Sequence, residues 1–163
     1  MVTENTDTKR ADALNMAKAL VAKMFADNGQ IMPMALAGSG SGVWLGIELD
    51  MRDDQAKDAN ADMIRALVQE RPQVSAIIFI AESWRVAATK DEVLDRANMP
   101  MPSKHPRREE GVLINYEARD GVTASLWLPI LRNPDRLDEP KEVAGHGQES
   151  FTLGCGIGHG AQM

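Results

Sequence analysis

Hydrophobic positions recur along this chain at two spacings, and the spacing changes several times. From Thr8 to Asp27, Leu14, Ala17, Val21, Met24 and Phe25 fall three or four residues apart, the stripe of an amphipathic helix. Asn28-Gly29 closes it, since glycine readily takes the left-handed conformation past a helix end. Two apolar segments follow, Ile31 to Ala37 and Val43 to Leu49, on either side of a GSGSG stretch. They read as a hairpin. Pro33 cannot donate a ladder hydrogen bond, so the first of these strands is expected at a sheet edge. Residues 53–70 return to helical spacing, with Ala56, Ala59, Met63, Ala66 and Leu67, helped by Ile64, as the expected buried stripe. Asp53 or Asp54 can cap this helix, and Asp58 lies near its positive end.

The most strand-like stretch is VSAIIFIAESWRV, from Val74 to Val86. Its unbroken block Ile77-Ile78-Phe79-Ile80 suits a pleated surface covered on both faces, hence a central strand. With period two, Ala76, Ile78, Ile80, Glu82, Trp84 and Val86 share one face. A carboxylate in that row has to be hydrogen-bonded, paired, protonated or at the rim. Two readings follow: a rim glutamate bonded to an arginine or a loop amide, or a poised acid or base in a pocket.

Thr89-Lys90-Asp91-Glu92 fits a capping box and starts a short helix to about Asn98, which Pro100 and Pro102 end. SKHPRREE (103–110) is a polar loop. The last hairpin, GVLINYEARDGVTASLWLP, has a legible register. A three-residue loop, Arg119-Asp120-Gly121, pairs Val112 with Leu128, Ile114 with Leu126, Tyr116 with Ala124 and Ala118 with Val122, so one face is wholly apolar. A two-residue loop would mix polar and apolar on both faces. From Leu131 the chain turns rich in proline, glycine and charge, with only Ser150 to Leu153 strand-like.

These elements predict an α+β domain. An antiparallel sheet of about five strands carries two main helices on one face, in the order α-β-β-α-β-(α)-β-β. A tail over 1–7, one domain over 8–130 and an extended arm over 131–163 complete the expected organisation. The element order resembles that of profilin-like and roadblock-like domains, a likeness carried by no residue motif and silent on function.

Composition narrows the function classes. With 163 residues the chain is long enough for one real core. A net charge of −6 argues against a nucleic-acid binder. A single cysteine excludes an internal disulfide and, with the polar start MVTENTDTKR, leads to the expectation of a cytoplasmic protein. No apolar run approaches the roughly 20 residues of a membrane span. The glycines at 38, 40 and 42 are followed by a strand, not the helix a phosphate loop needs. His146, Cys155 and His159 lack the paired spacing of a structural zinc site, so neither metal nor cofactor is expected.

The densest cationic stretch is Lys104, His105, Arg107 and Arg108. If it meets the strand end, Glu82 and His105 could act as an acid–base pair, with Trp84, Arg85, Arg107 and Arg108 binding a small anion. That reading gives a small-anion sensor or hydrolase-like enzyme. The main expectation is a non-enzymatic binding or assembly domain that self-associates or binds a protein partner, motivated by an apolar sheet, the edge strand expected at Ile31 to Ala37 and a long C-terminal arm suited to embracing a neighbour.

Overall fold

The structure is a computed structural model describing residues 2–86, 89–98, 100 and 104–143. Helix α1 spans Val2–Asn28, strands β1 and β2 span Met34–Ser39 and Trp44–Glu48, and helix α2 spans Asp54–Glu70. Strand β3 is Val74–Arg85, and a one-turn helix α3, Lys90–Leu94, precedes a 3-10 turn at Arg96–Asn98. Strands β4 (Glu109–Ala118) and β5 (Thr123–Leu131) follow, then the two-residue strands β6 (Arg136–Leu137) and β7 (Lys141–Glu142). The α+β class and antiparallel sheet are as the pattern predicts. The strand order is β2-β1-β3-β4-β5-β6, with β7 also pairing β5.

Local chemistry explains the boundaries. Helix α1 begins at Val2, ahead of the Thr8 start suggested by the pattern. It ends where Gly29 (φ +69°) donates its N–H to Phe25 O at 2.8 Å. Asp53 caps α2 by accepting from Ala56 N at 2.7 Å. Thr89 and Glu92 form the expected capping box around α3. The β4–β5 register is the one chosen by apolar pairing: Val112 faces Leu128, Ile114 faces Leu126, Tyr116 faces Ala124. Ala118 N–H meets Val122 O, and Gly121 takes φ +92° as the three-residue loop requires.

Three expectations are corrected. The main helices lie on opposite faces of the sheet. Ala13, Ala17, Val21 and Phe25 of α1 pack with Leu36, Ile78, Ile80, Val112 and Ile114. Ala61 and Ile64 of α2 pack with Ala35, Ala37, Ile77 and Phe79 from the other side. The cause is β3 itself: Ile77, Ile78, Phe79 and Ile80 are all buried, so both faces need cover. Helix α2 also connects two strands that flank β1, so it crosses over β1, and it does so on the face opposite α1.

Strand β1 is not an edge. It pairs with β2 on one side and β3 on the other. Pro33 stands just ahead of the strand, at the terminal rung opposite Leu49, where its missing N–H costs one bond at the end of the β1–β2 ladder; its carbonyl still accepts from Leu49 N at 3.0 Å. The edge strand is β2. The buried stripe of α2 is also rotated from the expected one. Ala61 and Ile64 are buried and Leu67 and Val68 partly so, while Met63 is 43% exposed. Alanine at 56, 59 and 66 gave a weak apolar signal that the larger Ile64 and Leu67 outweigh.

The chain after Leu131 folds back along β5. Asp138 N–H bonds Pro129 O at 2.8 Å, and Val143 N–H bonds Ser125 O at 3.0 Å. The expected strand at 150–153 and the residues His146, Cys155 and His159 lie outside the described residues.

Candidate functional site

At the end of β3, the residues singled out by sequence are distributed over separate contacts. Glu82 Oε1 accepts the backbone N–H of Ile31 at 2.7 Å. The carboxylate thereby ties the segment leaving α1 to the sheet, the loop-amide arrangement named above. One residue pair further on, the strand does meet the polar loop. The Arg108 guanidinium lies over the Trp84 ring, 5.2 Å from its centroid. Arg85 Nε donates to Glu109 Oε2 at 2.8 Å, and its guanidinium stacks 4.6 Å above the Trp127 ring.

His105 is held elsewhere. Its ring is buried, and Nδ1 accepts the N–H of Arg107 at 3.0 Å, which puts the ring proton on Nε2. Nε2 then donates to Glu92 Oε2 at 2.5 Å, while Arg107 binds the other oxygen of Glu92. A capping-box glutamate thus anchors the loop to α3. Both imidazole nitrogens are engaged, and so is the Glu82 oxygen on Ile31. The site residues divide into a structural pin at Glu82, a loop anchor at His105 and Arg107, and an arginine–indole contact at Trp84 and Arg108.

Two clefts lined by described residues lie at the other end of β3 and β4. One, about 310 Å³, opens on the α2 side between Val68, Val74, Ile77, Glu117 and Arg119. The other, about 420 Å³, opens on the α1 side between Thr6, Lys9, Tyr116 and Asp120. Arg119 is spent on structure: Nε donates to Val74 O at 2.9 Å and Nη2 to Val68 O at 2.8 Å and Arg71 O at 3.3 Å. A guanidinium on the last carbonyls of α2 also complements the helix dipole. Burial, then the nearby Asp120 charge, raise the Tyr116 phenol above its ordinary pKa of 10.0, with Arg10 opposing. Glu117 is buried beside Ile77, its cross-strand partner. Sequence reasoning placed Glu117 on the more polar hairpin face without marking it; the signal was its adjacency to the apolar odd-numbered row of β3. Among the described residues, no group of three or more His, Cys, Asp or Glu is arranged to hold a metal ion. No described helix is long and apolar enough to cross a membrane.

The third feature is the outer edge of β2. Ser39 N–H bonds Val43 O and Leu49 N–H bonds Pro33 O, each at 3.0 Å. In an antiparallel ladder these bonds alternate. Val43, Leu45, Ile47 and Leu49 therefore turn their backbone groups toward β1, and Trp44, Gly46 and Glu48 turn theirs outward. No described strand pairs with that row. On the α2 side of the same strand, Val43 is 67% and Leu45 60% exposed. Trp44 folds back over Gly38, its cross-strand partner, on the opposite side. The far edge of the sheet is guarded differently: β6 and β7 cover β5 and carry Arg136, Lys141 and Glu142. Strand β2 has neither proline nor lysine, and its one charge, Glu48, stands at its end.

No protein-family model, curated protein or solved structure matches this chain.

Proposed function

We propose that the protein is a non-enzymatic binding or assembly domain whose working surface is the outer edge of β2. The observation that carries the reading is the contrast between the two sheet edges. One is closed by short charged strands; the other leaves the backbone groups of Trp44, Gly46 and Glu48 without a strand partner among the described residues, beside exposed Val43 and Leu45. An unguarded edge accepts an extended segment by continuing the ladder, with side-chain pockets supplying selectivity. The small-anion or hydrolase-like alternative has weaker geometric support, because Glu82 and His105 are committed to Ile31 and Glu92.

The test is selection of extended peptides from a random library against the purified protein, followed by measurement against two edge variants. Gly46→Pro removes an outward N–H while leaving the β1–β2 bonds of Leu45 and Ile47 in place. Leu45→Lys puts a guarding charge on the edge. The selected peptides lose binding at least tenfold to both variants. Peptides that bind both variants as tightly as the parent refute the reading.

A further inference from the structure

Resting on that reading, we propose that the strand taken up by β2 is the β2 strand of a second copy of this chain, paired antiparallel about a two-fold axis at Gly46. Backbone geometry limits the choices. Only Trp44, Gly46 and Glu48 point outward, so hydrogen-bonded pairs must join members of that set or their even-numbered neighbours. A two-fold axis at Gly46 sets Gly46 opposite Gly46 and Trp44 opposite Glu48 at both ends. Every outward group of β2 then has a partner, and the whole strand is used.

Charge is compatible with the same register. The segment is acidic at one end, with Glu48 and then Asp50. With the axis at Gly46 they fall opposite Trp44 and Gly42 of the second copy, away from its own acids. Moving the axis to Glu48 would oppose the two glutamates directly, which is destabilising across a strand pair. Moving it to Trp44 would leave Glu48 facing Gly40, in the turn, and its ladder groups unused. The Gly46 axis also sets exposed Leu45 opposite Ile47 and exposed Val43 opposite Leu49 on the α2 side, a continuous apolar row from two half-rows. Gly46 suits the dyad: a β-carbon there would stand 3.7 Å from Leu36 Cδ2 and 3.8 Å from Met34 Cε, ordinary contact, so the position tolerates a test side chain.

Sedimentation of the full chain over a wide concentration range, together with directed disulfide formation, tests this. In a Cys155→Ser background, Gly46→Cys cross-links under mild oxidation, because directly opposed residues lie about 5.5 Å apart at Cα, within disulfide reach. Trp44→Cys and Glu48→Cys do not cross-link singly, being about 14 Å from their own copies, but do so when mixed. Gly46→Ala keeps the dimer and Gly46→Pro sediments as a monomer with unchanged circular dichroism. A parent protein that is monomeric throughout overturns the inference while leaving edge-dependent peptide binding intact. So does a dimer in which Glu48→Cys alone cross-links, or one that survives Gly46→Pro. Peptides that ignore the edge variants would instead remove the underlying reading.

Discussion

Replacing Glu82 separates its structural role from a chemical one. Its Oε1 accepts the Ile31 N–H at 2.7 Å, and Ile31 is buried, so the amide has no ready access to water in the acceptor's absence. A hydrogen bond to a charged acceptor contributes about 1.5–3 kcal/mol net, and an orphaned buried donor costs about 1–3 kcal/mol. These are two views of the same loss and do not add, so Glu82→Ala is expected to destabilise by about 2–3 kcal/mol. Glu82→Gln keeps a carbonyl oxygen in place and gives up only the charge, for a loss of about 1 kcal/mol. With a urea dependence of about 2 kcal/mol per molar, the alanine variant's midpoint falls by roughly 1 M and the glutamine variant's by about half that. Urea titration followed by far-ultraviolet circular dichroism measures both. Loss of protection at the Ile31 amide in hydrogen exchange ties the effect to this bond. The reasoning is refuted if Glu82→Ala unfolds within about 0.5 kcal/mol of the parent, or if alanine and glutamine are equally damaging.

Other consequences are as direct. A β-carbon on Gly111 would overlap the Trp127 indole and lie 2.9 Å from Leu128 O, and Trp127 is 2% exposed, so Gly111→Ala should cost at least about 1–3 kcal/mol in a thermal or urea melt. Gly38→Ala meets Trp44 at 2.5 Å, yet that ring is only half-buried and can swing aside; a larger loss at Gly38 than at Gly111 would contradict this. Arg119→Ala should cost about 1–2 kcal/mol and speed amide exchange in the last turn of α2, whose carbonyls it holds; unchanged exchange there would show the clamp to be idle. Tyr116 is the single tyrosine, so tyrosinate absorbance reports it alone. With its folded pKa raised above 10.0, the phenol is neutral in both states at lower pH, and above pH 10.0 the unfolded chain ionises first. The Tyr116 contribution to stability should therefore be level below that point and fall as pH rises through the window above it, and Asp120→Asn should lower the tyrosinate midpoint in the folded protein.

The strands were legible where side chains decide the structure and obscure where only backbone does. The β4–β5 register could be read because a one-residue slip exchanges Ile114, Tyr116, Leu126 and Leu128 for Asn115, Glu117 and Ser125. The caps at Asp53 and Thr89 could be read because a side-chain oxygen three residues before a free amide has few alternatives. The placement of the helices was not legible from local order. The buried block in β3 already called for cover on two faces, but assigning α1 and α2 to opposite faces needed the strand order. That order depends on β1 lying between β2 and β3. Pro33 misled because it stands at the last rung, opposite Leu49, where a missing N–H costs one terminal bond and leaves the pairing of β1 with β3 intact.

The same physics explains why the junction at Glu82 to Arg108 was easy to notice and the edge at β2 was not. Side chains that break a pattern draw attention, yet the carboxylate at Glu82 and the imidazole at His105 break it because each is consumed by a particular backbone or side-chain partner. An open strand edge breaks no pattern. Its functional groups are the N–H and C=O that every residue carries, and a sequence holds no record of which of them lack a partner. What it does hold is the absence of protection: no lysine, no proline, and valine and leucine where the other edge carries arginine, lysine and glutamate. That absence acquires meaning only after topology shows which strand is outermost. Once β2 is outermost, Trp44, Gly46 and Glu48 become three addressable backbone positions, and the proposed surface is one that substitutions at Leu45 and Gly46 are expected to switch off.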